Sequence, residues 1–130
     1  MIRIFAVAAT MAAGMTLAAA DEVRRIHFAE ALFGTWAPNA DLCTKDDKSK
    51  IEISNLKYAG PEGNCSVRWI VETAAAGGTN YSVHAFCADP SKPADSTVTD
   101  LIIRSQPNER ILVGKSFDAL KPYQRCDGAK

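Results

Sequence analysis

Hydrophobic residues along this chain alternate with polar ones more often than they recur at helical spacing. The clearest stretch lies between Cys65 and Cys87. Cys65, Val67, Trp69 and Val71 take alternate positions in its first arm, and Tyr81, Val83, Ala85 and Cys87 do so in its second. Successive side chains of a strand face opposite sides, so each set lines one face. Folding the chain at Ala76–Gly77 sets them opposite one another as Cys65–Cys87, Val67–Ala85, Trp69–Val83 and Val71–Tyr81. The pattern predicts a β-hairpin with a cross-strand disulfide and a loop from Ala74 to Asn80. Trp69 and Tyr81 turn inward in this register, and His84 falls on the outer face.

The same alternation recurs along the chain. Phe33 to Ala37 reads as a first strand. Ile51 and Ile53 point in while Glu52 and Ser54 point out. Leu56 and Tyr58 continue the inward set after a slip at Ser54–Asn55 that marks a bulge or a turn. Ala59 to Asn64, rich in Gly, turns the chain. Ala88 to Asp95 carries prolines and reads as a surface loop. Ser96 to Arg104 and Arg110 to Val113 read as strands joined by a turn at Gln106 to Glu109. Ser116-Phe117 and Tyr123 to Cys126 supply short closing pieces. Asp21 to Leu32 departs from the pattern. Val23, Ile26, Phe28 and Leu32 make a loose helical stripe behind Asp21-Glu22, which predicts a short N-terminal helix. The whole predicts an all-β fold, a small antiparallel meander of about six to eight strands closed as a barrel or sandwich. Closure removes exposed sheet edges.

The first residues belong to a different class. Met1-Ile2-Arg3 is a short basic start, Ile4 to Leu17 is apolar or small, and Ala18-Ala19-Ala20 suits a signal peptidase. This predicts a signal peptide over residues 1–20 and a single disulfide-stabilised β domain over residues 21–130. The apolar run is too short and Ala-rich to serve as a stable membrane anchor. The Ala-rich style points to a bacterial periplasm or the cell exterior. The chain holds 4 cysteines: Cys43, Cys65, Cys87 and Cys126. In an oxidising compartment an even number reads as disulfides. The hairpin register selects Cys65–Cys87 and leaves Cys43–Cys126. Wide spacing without a C-x-x-C pair or a His cluster argues against zinc and against redox chemistry. Lys+Arg and Asp+Glu are equal at 15 each. No basic excess exists to hold nucleic acid.

Chemistry-bearing motifs are scarce. No G-x-S-x-G occurs, and the chain has only 2 histidines, His27 and His84. Asp46-Asp47, Glu52, Glu72 and Asp100 fall mostly in loops or at outward positions. Gly77-Gly78 is a turn with no helix start behind it to hold phosphate. The expectation is a protein that is not an enzyme and uses no cofactor or metal.

One constellation carries a resemblance. Gly34-Thr35-Trp36 resembles the G-x-W element that opens lipocalin-like barrels. The resemblance implies that Trp36 plugs one barrel end and that Arg125 covers it. Phe33-Gly34-Thr35-Trp36-Ala37, the four cysteines and Tyr123-x-Arg125-Cys126 together resemble a group of small exported bacterial proteins of unassigned function. That group implies a compact two-disulfide β domain and brings no catalytic residues. The expected function is a monomeric binding or inhibitor-type domain. It would recognise an envelope or secreted protein through Ala74 to Asn80, Ala88 to Asp95 and the arm Asp21 to Leu32. One alternative is a carrier of a small apolar ligand, faced by Trp69 and Tyr81. The other is a small envelope enzyme.

Overall fold

The alternating stretches become strands in the computed structural model, which describes residues 22–126. The predicted signal peptide lies outside the described residues. The strands are β1 (Val23–Arg25), β2 (Gly34–Ala37), β3 (Ile51–Ile53), β4 (Lys57–Gly60) and β5 (Gly63–Ala75). They continue with β6 (Gly78–Ala88), β7 (Thr97–Gln106), β8 (Arg110–Gly114) and β9 (Lys121–Arg125). From β2 to β9 each strand pairs antiparallel with the next, and β9 returns to pair with β2. The result is a closed meander barrel rather than a sandwich. Closure leaves β2 and β9 no free edge along their pairing, where Trp36 lies opposite Arg125.

β1 stands outside this ring. It pairs with the later part of β5, Val23 opposite Glu72 and Arg25 opposite Ile70. β4 uses the same edge of β5 nearer its start, Lys57 opposite Ser66. The predicted N-terminal helix is therefore absent. A strand replaces its first part and a 3-10 turn, Glu30–Leu32, its last. Only Phe28 and Leu32 of the expected stripe are buried, whereas Ile26 is 70% exposed. A short helix without a continuous apolar face gains little from packing. The vacant edge of β5 offers the backbone hydrogen bonds instead.

Inward side chains fill the barrel. Ile51, Tyr58, Ile70, Val83, Leu101, Ile103, Ile111 and Val113 are buried in one cluster, with Phe28, Leu32 and Trp36 packed into it. The interior of a barrel of this strand number can be filled by side chains or can hold one small ligand, and here the buried side chains form a single cluster across it. The Cys65–Cys87 disulfide also lies in this core. Cys43–Cys126 is the second bridge and ties the 3-10 turn Ala40–Thr44 to the residue after β9.

The hairpin follows the expected register only in part. Cys65 lies opposite Cys87 and Val67 opposite Ala85. A bulge then intervenes between Val67 and Trp69, after which Trp69 pairs with His84, Ile70 with Val83 and Glu72 with Tyr81. One extra residue reverses the side on which every later side chain emerges. Ile70 therefore enters the core, and Trp69 and Val71 leave it. The predicted loop Ala74 to Asn80 shrinks to a tight turn at Ala76–Gly77, with Gly77 at φ +77°. Gly78 is demanded by proximity, since a Cβ there would lie 1.9 Å from the Ser105 carbonyl oxygen. Leu56, expected inside, is 49% exposed in the turn between β3 and β4.

Candidate functional site

The barrel presents four places where chemistry or recognition can reside: its plugged end, its interior, its opposite mouth and its outer wall.

Trp36 plugs the end at which β2 begins and is 2% exposed. Its indole Nε1 donates to the Leu32 carbonyl at 3.0 Å. The Arg125 guanidinium lies over the ring, its carbon 4.2 Å from the ring centroid. The edge of the same guanidinium donates to the carbonyls of Phe33 and Ala31 and to the Glu109 carboxylate. Arg125 thus joins the segment before β2, the β7–β8 turn and β9. Glu109 reaches it from a left-handed backbone, φ 55°, beside Asn108 at φ 64°. A non-glycine residue in that region costs about 1–2 kcal/mol. The three-residue turn and its strained conformation bring the carboxylate to the guanidinium. This arrangement ties chain segments together and exposes no reactive group.

The interior holds Tyr81, which is 7% exposed among Val83, Leu101 and Ile103. Burial raises its hydroxyl above the ordinary phenol range, and Glu72 adds to the effect. Glu72 pairs with Arg25 at 2.7 Å. Trp69, expected beside Tyr81, is on the opposite side of the sheet. The two residues do not form a common ligand-facing surface.

The mouth lies at the other end, between the loop after β2, the β4–β5 turn and the loop after β6. An open cleft of about 610 Å³ is lined there by Asp46, Asp47, Lys50, Glu52, Glu62 and Asp89, among others. Three of its acids, Asp47, Glu62 and Asp89, are engaged in structure. The Tyr58 hydroxyl donates to Glu62 at 2.6 Å. Burial, reinforced by Glu62, pushes that phenol far above its usual range. Tyr123 is raised by burial first and by Glu62 second. Asp47 and Asp89 each cap a tight turn. They accept from the backbone N–H of Ser49 and of Ser91, both at 2.8 Å. Hydrogen bonds from the hydroxyls of these two serines, then from their amides, hold both carboxyls below the usual range. Among the described residues, no group of three or more His, Cys, Asp or Glu side chains could hold a metal ion.

The outer wall of β5, β6 and β7 carries the aromatic residues. Trp69 and His84 stack with ring centroids 4.6 Å apart. His84 Nδ1 lies 2.7 Å from the Asp100 carboxylate. Among the described residues, no serine or threonine hydroxyl is hydrogen-bonded to the His84 ring. Phe86 and Val98 are cross-strand partners and are 41% and 62% exposed. Arg24 lies over Trp69 at 4.8 Å, and Arg68 lies over both Trp69 and Phe86, at 5.2 and 4.7 Å. Arg68 is the extra residue of the bulge, so the wall shows two consecutive side chains, Arg68 and Trp69.

No family model, curated protein or solved structure matches the chain.

The structure brings Trp36 and Arg125 together and joins the four cysteines in two bridges. It separates Trp69 from Tyr81. The sequence reading missed the outer-wall cluster. Three consecutive apolar residues, Trp69-Ile70-Val71, hid it, because either phase of the alternation buries part of that run. The acidic residue that follows, Glu72, did not break the tie.

Proposed function

We propose that the protein is an extracytoplasmic, non-enzymatic binding or inhibitor-type domain whose ligand is another protein. The carrying observation is the contrast between a barrel filled by its own side chains and a wall on which Phe86 and Val98 face solvent. A packed interior leaves recognition to the outside. Exposed apolar groups gathered on one face are the usual mark of a protein contact. Two disulfides make the scaffold rigid, so little conformational entropy is lost when it docks. They also fit an oxidising compartment. Among the described residues no helix is long and apolar enough to cross a membrane. With the signal-like residues 1–20, these features support a periplasmic or secreted location. Of the surface once assigned to loops, residues 89–96 remain an exposed connection, whereas Ala76–Gly77 is too short to form a contact surface by itself.

The test is titration of the purified oxidised domain against a panel of secreted hydrolases, followed by native mass spectrometry. A stoichiometric complex or saturable inhibition is expected, and no small molecule should travel with the free protein. A co-purified apolar ligand would transfer support to the carrier reading. Turnover of any substrate by the domain would remove the non-enzymatic one.

A further inference from the structure

The bulge in β5 exchanges core residues, burying Ile70 and turning its neighbours outward. It takes a tryptophan out of the barrel and sets it, with Arg68, on a solvent-facing wall. Bulges that re-aim side chains are common next to functional sites. The wall that results has an ordered composition. Trp69 stacks on His84, Phe86 lies opposite Val98, and the two guanidiniums of Arg24 and Arg68 cover the rings. Tryptophan and arginine are the residue types most enriched where protein contacts carry their energy.

The charge of the wall is uncompensated. The ion pairs of the described residues employ Arg25, His84 and Arg125, and none employs Arg24 or Arg68. The single acid on this stretch, Asp100, is paired with His84. Arg24 and Arg68 are held over aromatic rings without an ion-pair partner among the described residues, and a guanidinium fork matches a carboxylate. Stacking also fixes the side chain in advance, so less entropy is lost when a carboxylate arrives. Trp69 lies between these cations, and Phe86 and Val98 beside Arg68 call for an apolar complement.

We propose that the outer wall of β5–β6–β7, centred on Arg68 and Trp69, docks an acidic, partly apolar segment of a partner protein. This deepens the protein-binding reading above and rests on it. A polyanion such as nucleic acid fits less well. It needs a track of cations, whereas this chain has no net charge and its wall offers two free guanidiniums interrupted by apolar surface.

The probe is a fluorescein-labelled short peptide in which Glu alternates with Leu, followed by anisotropy at low and high salt. Its controls are the matching Lys–Leu peptide, oligothymidylate and heparin. The acidic peptide should bind, weaken with salt and shift the emission of Trp69, while the lysine peptide should not bind. Arg24→Glu with Arg68→Glu, and Trp69→Ala separately, should each weaken binding about tenfold or more. These side chains lie outside the core, and circular dichroism with disulfide mapping verifies that each variant folds. The proposal is overturned if the acidic peptide fails to bind, if the variants bind it as the parent does, or if oligothymidylate or heparin binds more tightly. The hydrolase panel separates the two readings. A target bound equally by parent and Arg24→Glu/Arg68→Glu leaves the binding function standing without this surface. Loss of peptide binding in the variants, beside a panel with no target, supports the surface and removes the inhibitor reading.

Discussion

Replacing Arg125 by alanine should loosen the plugged end of the barrel and cost about 3 kcal/mol. The stack on Trp36 contributes about 0.5–2 kcal/mol according to its desolvation. A hydrogen bond from a charged donor is worth about 1.5–3 kcal/mol. Arg125 makes such bonds to the Phe33 and Ala31 carbonyls. Both carbonyls lie near the surface and water partly replaces the lost donor, so the lower end of that range applies. Glu109 adds little, because its side chain is 70% exposed and surface ion pairs are worth about 0–1 kcal/mol. A domain of this size has about 5–15 kcal/mol in total. With a urea slope of about 1–1.5 kcal/mol per molar, the midpoint should fall by about 2 M or more. Arg125→Lys keeps the charge but loses the planar fork, and should fall about half as far. Glu109→Gln should change stability by less than about 1 kcal/mol. The assay is equilibrium urea unfolding followed by Trp fluorescence, on protein whose two disulfides are verified by mass. An Arg125→Ala midpoint close to that of the parent would refute the reasoning. So would a Glu109→Gln effect as large as that of Arg125→Ala.

Three further outcomes are expected. In the loop-entropy description, replacing Cys43–Cys126 by alanines removes a closure over 83 residues, worth about 4.6 kcal/mol, and replacing Cys65–Cys87 removes one over 22, worth about 3.4. Thermal unfolding should rank the long bridge first unless the buried pair also leaves a core cavity, which cavity-filling Cys65→Val with Cys87→Val separates from the entropic effect. All 3 tyrosines have hydroxyls raised above 10.0 in the folded state, chiefly by burial. Because the unfolded phenols ionise more readily, stability should be complete below about pH 10 and decline above it, and absorbance at alkaline pH should rise together with unfolding. A phenol that titrates at its ordinary value while the fold persists contradicts this. Trp36 is buried and Trp69 half-buried on the outer wall, so Trp69→Phe should abolish most iodide quenching of fluorescence. Quenching that survives the substitution would put Trp69 back inside the barrel.

Much of the fold was legible because period-two patterns have one physical meaning. Ile51 and Ile53, and Val83 and Ala85, each alternate with polar or exposed neighbours, and each pair lies in the core. The cysteine pairing was legible from the same register. Trp36 and Arg125 were legible only through a resemblance, since nothing in their spacing says that first and last barrel strands meet. Two features stayed hidden for different reasons. The N-terminal segment had a helical stripe, but its conformation is set by the spare edge of β5, a partner distant in sequence. Trp69 was placed inside because alternation assumes an unbroken strand, and the extra residue at Arg68 obeys no period. The outer-wall cluster depends on that single irregularity and so could not be read before the register was known.

The seam between β2 and β9 has a consequence for the order of events during synthesis. The strands that close the barrel are its first and last, and their lock, Trp36 with Arg125, is accompanied by the Cys43–Cys126 bridge. Until Cys126 has emerged, β2 and β8 each present an unpaired edge open to any other strand. The barrel therefore cannot close until its last strand arrives. On the export route proposed above, this closing step would follow passage across the membrane. The feature that stabilises the finished barrel also postpones it.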